Sequence, residues 1–458
     1  MKKTLLLTLA LGFAGVSPRL AATTVDVYIT GSTAFRANVY NACTKLFVSD
    51  NPTIYYADGN HGGTTLSSPP SASSAPSISS WVMTGSPVST LTNLQGDTLT
   101  VHGFFTGSTQ GLQTTENAVP LIFAAATGTP NQNCSAYVTN APTIGFSDAS
   151  GVASPYTASG NFVEENVCVQ PFVWVKSSAS VGAVTNINNI TWEQVEYGIE
   201  AGRIPLSAWT GQITDTNTFV YLMQRTKDSG TRRCETAGAY YQYNDPVGIY
   251  IYDYTNNFFY TPTVLANTGY GFSPNGVIGT EGPGLGNVNL NWGYGYIGGG
   301  DIKNTLNNGN AANQAIGYLS INDAKSAGTA NWNNVISYNG IWPTAAGAGI
   351  HGNSGTNDYS PITLGYYPLW GFEVLVHPTV PNGQQQNISH FQLGDEYTPG
   401  SFMGVFNAQS FNNGGVVTVG SIENEIILSQ PSGATGIPLA AMVNTRPSVG
   451  GTIFPPFQ

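Results

Sequence analysis

Cys168–Val175 (CVQPFVWV) is an almost unbroken apolar run, and it restricts the fold more than any other segment of the chain. A strand with one wet face alternates apolar and polar residues, whereas a run without that alternation suits a strand covered on both faces. Tyr366–Val376 (YYPLWGFEVLV) has the same character far downstream. Other apolar runs are followed by helical patterns. Val25–Ile29 leads to Phe35, Val39, Ala42 and Leu46 at helical spacing, and Leu99–Phe105 leads to a short helix around Gly111–Ala118. Thr191-Trp-Glu-Gln194 is a capping box for an amphipathic helix stopping near Gly202, and Ser320 caps a helix after Ala315–Leu319. Strands alternating with helices imply an α/β architecture with largely parallel sheets. At 458 residues, two lobes are expected rather than one core.

Three stretches interrupt this pattern. Residues 50–97, with the Pro/Ser-rich Ser67–Ser80, read as an elaborated loop, and 118–142 read as a second. Residues 240–290 are rich in Tyr, Gly and Asn, and the sequence sets no order on them.

The N-terminus carries Lys2 and Lys3, an apolar run from Leu5 to Val16 and small residues at Ala21-Ala22, which is the pattern of a secretory signal peptide over residues 1–22. No cysteine follows that run, so no lipid-anchor site is expected. A periplasmic or secreted location follows. Only 9% of residues are charged and the net charge is −11, a balance that argues against nucleic acid and anionic membrane as partners. It leaves a small anion open, because such a site works through local dipoles and hydrogen bonds. Four cysteines (Cys43, Cys134, Cys168, Cys234) in an exported chain allow up to two disulfides in three connectivities. Cys134 and Cys168 bracket Ser147-Asp148 and are the favoured pair. The five histidines show no metal-ligand spacing, and neither metal nor cofactor is expected.

Short Gly/Ser/Thr turns carry the chemistry. Thr30-Gly-Ser-Thr-Ala-Phe35 and Thr106-Gly-Ser-Thr-Gln-Gly111 each follow an apolar run, and Arg225-Thr-Lys-Asp-Ser-Gly-Thr231 adds an arginine. Such strand-to-helix turns aim backbone N–H groups at one point, where the helix dipole adds partial positive charge. Ile144-Gly-Phe-Ser-Asp148 contributes a carboxylate. Donor-rich turns, one arginine and one acceptor suit a protonated oxyanion.

In order and type these elements resemble the phosphate-binding proteins of ABC transporters, a branch of the two-lobed periplasmic binding proteins. Ala34-Phe35 stands where that family ends its first turn in Thr-Phe. Gly107-Ser-Thr-Gln-Gly111 is similar to its Gly-Ser-Ser-Gly-Gly turn, placing a phosphate-contacting serine at Ser108. Gly145-Phe-Ser-Asp-Ala149 looks like its Gly-Ala-Ser-Asp-Ala segment, making Asp148 the acceptor of the phosphate proton. Arg225 and Ser229-Gly230-Thr231 match its arginine, three residues, then Ser-Gly-Thr. Ile190–Trp209 and Ala315-Ile-Gly-Tyr318 carry further likeness, so the anchors run from about residue 28 to 376 in the family's order.

The resemblance implies a type II two-lobed fold with two hinge crossovers and long inserted loops. Lobe one would be 24–172 with 371–458, and lobe two 173–370. The binding residues would be Ala34, Phe35, Ser108, Asp148, Arg225, Ser229, Gly230 and Thr231. It implies a monomer that captures inorganic phosphate for an ABC permease and its ATPase, without enzyme activity. Three positions depart from the pattern: Ala34 lacks the family's hydroxyl, Asp228 replaces a glycine, and Lys227 stands where an acid is usual.

Plainer readings exist for each residue. Arg225 could form a surface ion pair, Asp148 could cap a helix, and Ser108, Ser229 and Thr231 could be N-caps. The aromatic stretch 240–296 fits a carbohydrate platform or, better, the packing of a large loop. A secreted surface or adhesion protein on the same fold, and less so a phosphate-ester hydrolase, are the rival functions.

Overall fold

The computed structural model describes residues 23–72, 74–105, 107–149, 151, 162–177, 183–226, 229–241, 247–253, 258–260, 295–296, 298–307, 314–326, 334–344, 359–378, 388–393, 399–406, 437, 439 and 442. The signal-peptide segment, Lys227, Asp228 and most of 240–290 lie outside them.

A mixed α/β fold is built on one 12-stranded sheet. Its path runs β10 (Arg203–Pro205), β11 (Phe219–Met223), β14 (Ala315–Ser320), β8 (Phe162–Lys176), β16 (Trp370–Pro378), β7 (Ile144–Ser147), β1 (Thr24–Gly31), β4 (Thr98–Phe104), β3 (Ser80–Gly85) and β2 (Thr53–Tyr56). Off this path, β15 (Val335–Tyr338) pairs with β8 and with β9 (Asn189–Ile190).

The long apolar runs become the two central strands. Every residue from Val167 to Val175 in β8 is buried. That strand changes partner at Pro171: up to Pro171 it lies against β16, and from Phe172 onward against β14. Proline has no N–H to give a ladder, so it is tolerated where one pairing hands over to the next. The cores divide close by, between Cys168 and Val169. Val169, Phe172–Val175 and Leu369-Trp370 pack with β11, β14 and β15, whereas Val167, Cys168 and Leu375 pack with β1, β4 and α1 (Arg36–Thr44). Ile437 exchanges backbone hydrogen bonds with Val169 and joins the first of these cores.

Parallel pairing is less extensive than expected. It joins β1 to β4 and β7, β11 to β14, and β15 to β9, while β8 and β16 run antiparallel to each other and to β14 and β7 respectively. The helices form as their patterns dictate. α3 (Trp192–Ala201) has the full capping box between Thr191 and Gln194 and ends at Gly202 with φ +74°.

Two expected loops hold strands. β2 and β3 extend the sheet edge beyond β4, and β5 (Leu121–Ala124) pairs with β6 (Tyr137–Asn140) as a separate ribbon. Within Ser67–Ser80, Ala75 and Ile78 are buried and Ser80 opens β3, so this Pro/Ser-rich stretch contributes to the core. The expected Cys134–Cys168 disulfide is not formed, and none of the four cysteines is joined to another. The two sit in different clusters: Cys134 beside Ala57 and Val82 near the sheet edge, Cys168 in the central strand.

Candidate anion-binding site

Parallel strands deliver their following turns to one end of the sheet, where α/β proteins hold ligands. Thr30 and Gly31 of β1 lie opposite Gly145 and Phe146 of β7, so Ser32 and Asp148 leave the sheet side by side. Ser32 anchors its turn by giving its N–H to the Phe146 carbonyl at 2.9 Å. Gly31, at φ +124°, has Phe146 backbone where a side chain would be, so glycine is required there. Gly111 packs with its α-carbon against Gly31, which draws α2 (Ser108–Glu116) onto β1 and β7. The N-terminus of α2 has no side-chain cap.

From the other core, β11 leads through Arg225 to α5 (Gly230–Gly238). Ser229 caps α5 by accepting the Arg232 N–H at 3.3 Å. Two helix N-termini then meet. A side chain on Gly230 would come within 2.7 Å of Ser108 Cβ and 2.9 Å of Asp148 Cβ. Only glycine allows so close an approach.

Asp148 is the junction. One of its oxygens accepts from the Ser32 hydroxyl, and the other accepts from Thr231 Oγ1 at 3.1 Å. Arg225 Nη1 donates to Thr231 Oγ1 at 3.4 Å, and Nε donates to the Tyr296 carbonyl at 3.2 Å. Ser32, Ser108, Asp148, Arg225, Ser229 and Thr231 are all buried. The polar turns therefore make an interior cluster, with acceptor and cation linked through one hydroxyl.

Of the residues singled out from sequence, Ser108, Asp148, Arg225, Ser229, Gly230 and Thr231 come together in this way. Phe35 does not present its ring: the side chain is core, 5.6 Å from the Phe146 ring, and its N–H goes to the Ser32 carbonyl at 3.3 Å. Ala34 is buried in the same turn.

Four residues passed over in the sequence also belong to this region. Ser32 is the member of the first turn that reaches Asp148, and the Gly-Ser step after an apolar run was its available signal. Arg232 donates Nη1 to the Arg225 carbonyl at 3.0 Å, and burial, opposed by Glu235, pushes its pKa down to about 10. Asp301, in the first turn of α6 (Gly299–Asn307), is raised by burial, while the Gly298 N–H and the Arg225 charge act to lower it. Glu373 of β16 is wholly buried and raised far above the carboxylate range by burial and then by Asp148. Arg232 directly follows the Ser229-Gly230-Thr231 turn on α5, whereas Asp301 and Glu373 are invisible to motif reading because they arrive from separate elements. No group of three His, Cys, Asp or Glu suited to a metal occurs among the described residues. No helix among them is long and apolar enough to cross a membrane.

Fold and site together describe a mixed α/β protein whose two cores meet at a buried cluster of hydroxyl, guanidinium and helix N-terminal groups around Asp148. No family model and no curated protein matches the chain. Solved structures do. A candidate phosphate ABC transporter substrate-binding protein with bound phosphate from Clostridium perfringens aligns over 80% of this chain and 88% of its own, at 11% identity and TM-score 0.37. An ABC-type phosphate transport receptor from Vibrio cholerae aligns over 79% and 90%, at 13% identity and TM-score 0.33. A human phosphate-binding apolipoprotein aligns over 91% and 92%, at 12% identity and TM-score 0.37.

Proposed function

We propose that this chain is an exported solute-binding protein that captures inorganic phosphate between two lobes, for uptake by an ABC permease and its ATPase. The observation that carries the reading is the meeting of the α2 and α5 N-termini over buried Asp148, with Arg225 linked to it through Thr231. Helix N-termini offer backbone N–H groups and dipole charge to an anion. Arg225 supplies a full positive charge. Asp148, an acceptor when ionised, selects an anion that still carries a proton.

The lobes we assign are 24–172 with 371–458 and 173–370, joined by β8 and β16, with Ile437 crossing from the first to pack on the core of the second. Each donor set belongs to one side, so only closure lets both reach the same oxygens, and ligand favours the closed form. In the present arrangement Thr231 occupies Asp148 directly. A bound phosphate hydroxyl would take the place of that contact or share the carboxylate with it, since each carboxylate oxygen has two lone pairs. Nothing in this scheme forms or breaks a covalent bond, and the protein acts as a receptor rather than an enzyme. Calorimetric titration with phosphate tests it: micromolar or tighter binding is expected, and no measurable heat at millimolar phosphate rejects it.

A further inference from the structure

Glu373 is out of place by composition. It lies in the central strand β16, between Phe372 and Val374, and is wholly buried. Its register partner is Cys168 on β8, and the next residue, Val374, faces Ser147, which precedes Asp148. A side chain on nearby Gly371 would come within 3.0 Å of the Asp148 carbonyl, so β16 runs directly along that turn. The Glu373 carboxyl thus stands beside Asp148 and Ser32.

Neither Glu373 oxygen has a hydrogen-bond partner of good geometry among the described residues, although the Ser32 hydroxyl lies beside it. The Ser32 hydroxyl hydrogen is already given to Asp148. An ionised Glu373 would be a buried negative charge with no counter-charge beside it, which costs far more than taking up a proton. Burial first, and Asp148 second, push it in that direction. Once protonated it has one O–H to donate. The acceptors beside it are the Asp148 carboxylate and the Ser32 oxygen, and a charged acceptor makes the stronger bond.

We propose that Glu373 is a positioning residue of the anion site, a carboxylic acid that donates its own hydrogen to Asp148 and so fixes the acceptor that reads a proton on the bound oxyanion. This rests on the oxyanion reading above. A purely structural residue at such a position is better served by leucine, because a buried polar group costs stability that apolar packing does not. Keeping Asp148 aimed is what the carboxyl adds.

Two variants and one spectrum test it. Glu373→Leu should fold with an unchanged or higher melting temperature, yet bind phosphate roughly tenfold or more weakly and discriminate less against sulfate. Glu373→Gln retains a donor and should lose only about threefold. Leucine binding phosphate like wild type, or glutamine failing as badly as leucine while folded, overturns the proposal. Infrared difference spectra at neutral pH should show a protonated-carboxyl band that is lost in Glu373→Gln and displaced by Asp148→Asn. A missing band, or one indifferent to Asp148→Asn, also overturns it. A wild-type band that Asp148→Asn displaces, in wild-type protein that binds no phosphate, would reject the phosphate reading while upholding the Glu373–Asp148 bond.

Discussion

Thr231 gives its hydroxyl hydrogen to Asp148 over 3.1 Å, joining residues 83 positions apart in sequence. The bond runs from the first turn of α5 to the end of β7, so it ties one core to the other at the candidate site. It also ranks the site residues. Arg225 reaches Asp148 through Thr231, Ser32 reaches it from its own core, and Ser229 serves mainly to hold the α5 N-terminus in shape.

Arg225→Ala should weaken phosphate binding by about 2–5 kcal/mol, the range for truncating one partner of a buried charge pair. Arg225→Lys should recover part of that loss, because a point charge replaces a planar fork. Titration calorimetry reads both, with circular dichroism confirming the fold. Unchanged affinity in the alanine variant would remove Arg225 from the site.

Gly230→Ala tests the close approach of the two helix N-termini. The added methyl would lie 2.7 Å from Ser108 Cβ, and neither atom can move without its backbone. Overpacking of this kind costs about 1–3 kcal/mol, and it should appear as weaker binding because it props the two donor sets apart. Gly300→Ala is the matching control. It sits in α6 with open space around it, so it should leave binding unchanged and stability equal or up to about 1 kcal/mol higher.

A third prediction concerns pH. Burial, reinforced by the Glu164 carboxyl, raises Glu116 from 4.5 to about 7. A carboxyl raised in the folded state binds its proton more tightly there than in the unfolded chain. Its stabilising contribution is therefore full below the unfolded pKa of 4.5 and is lost as pH rises through about 7. Glu235, raised by burial to about 8, adds a slope of the same sign over a slightly higher window. The melting temperature should fall from pH 5 to pH 8, and Glu116→Gln should flatten the part of that fall below about pH 7. An equal slope in wild type and variant would show that Glu116 is solvated.

The sequence revealed most where the chemistry is local. Continuous apolar runs need no tertiary information to be recognised as doubly covered strands, and β8 and β16 were visible for that reason. Turn residues are similar: Gly107-Ser108, Ser229-Gly230 and the Thr191 box declare helix starts through their own backbone demands. Contacts set by register stayed hidden. Glu373 looked like one polar residue in an apolar run, and only the pairing of β16 with β7 and β8 shows that it stands beside Asp148. The 50–97 segment reads as a loop because Pro and Ser dominate its middle, whereas the strand-forming Thr53–Tyr56 and Ser80–Gly85 on either side of that stretch pair with each other. Cysteine arithmetic failed for a spatial reason, since bracketing Asp148 in sequence does not bring Cys134 near Cys168.

The last prediction concerns selectivity at Asp148. Near neutral pH phosphate keeps at least one proton, whereas sulfate has none. A carboxylate can accept that proton in a hydrogen bond, which turns a repulsive neighbour into a partner. Sulfate offers the same carboxylate only lone pairs, a like-charge contact costing several kcal/mol in a desolvated site, so discrimination comes from repulsion built into the protein. Sulfate at millimolar excess should therefore fail to displace phosphate from the wild-type protein. Asp148→Asn should admit sulfate, because the amide can donate to an oxygen that the carboxylate repels. The same change leaves one oxygen to accept from one of the two hydroxyls of Ser32 and Thr231 and turns the other contact round, the amide N–H donating to that hydroxyl oxygen, so the junction between the cores should persist with a modest fall in melting temperature. Competition calorimetry with both anions measures the gap directly. Equal competition by sulfate in wild type would reduce Asp148 to a structural junction between α5 and β7.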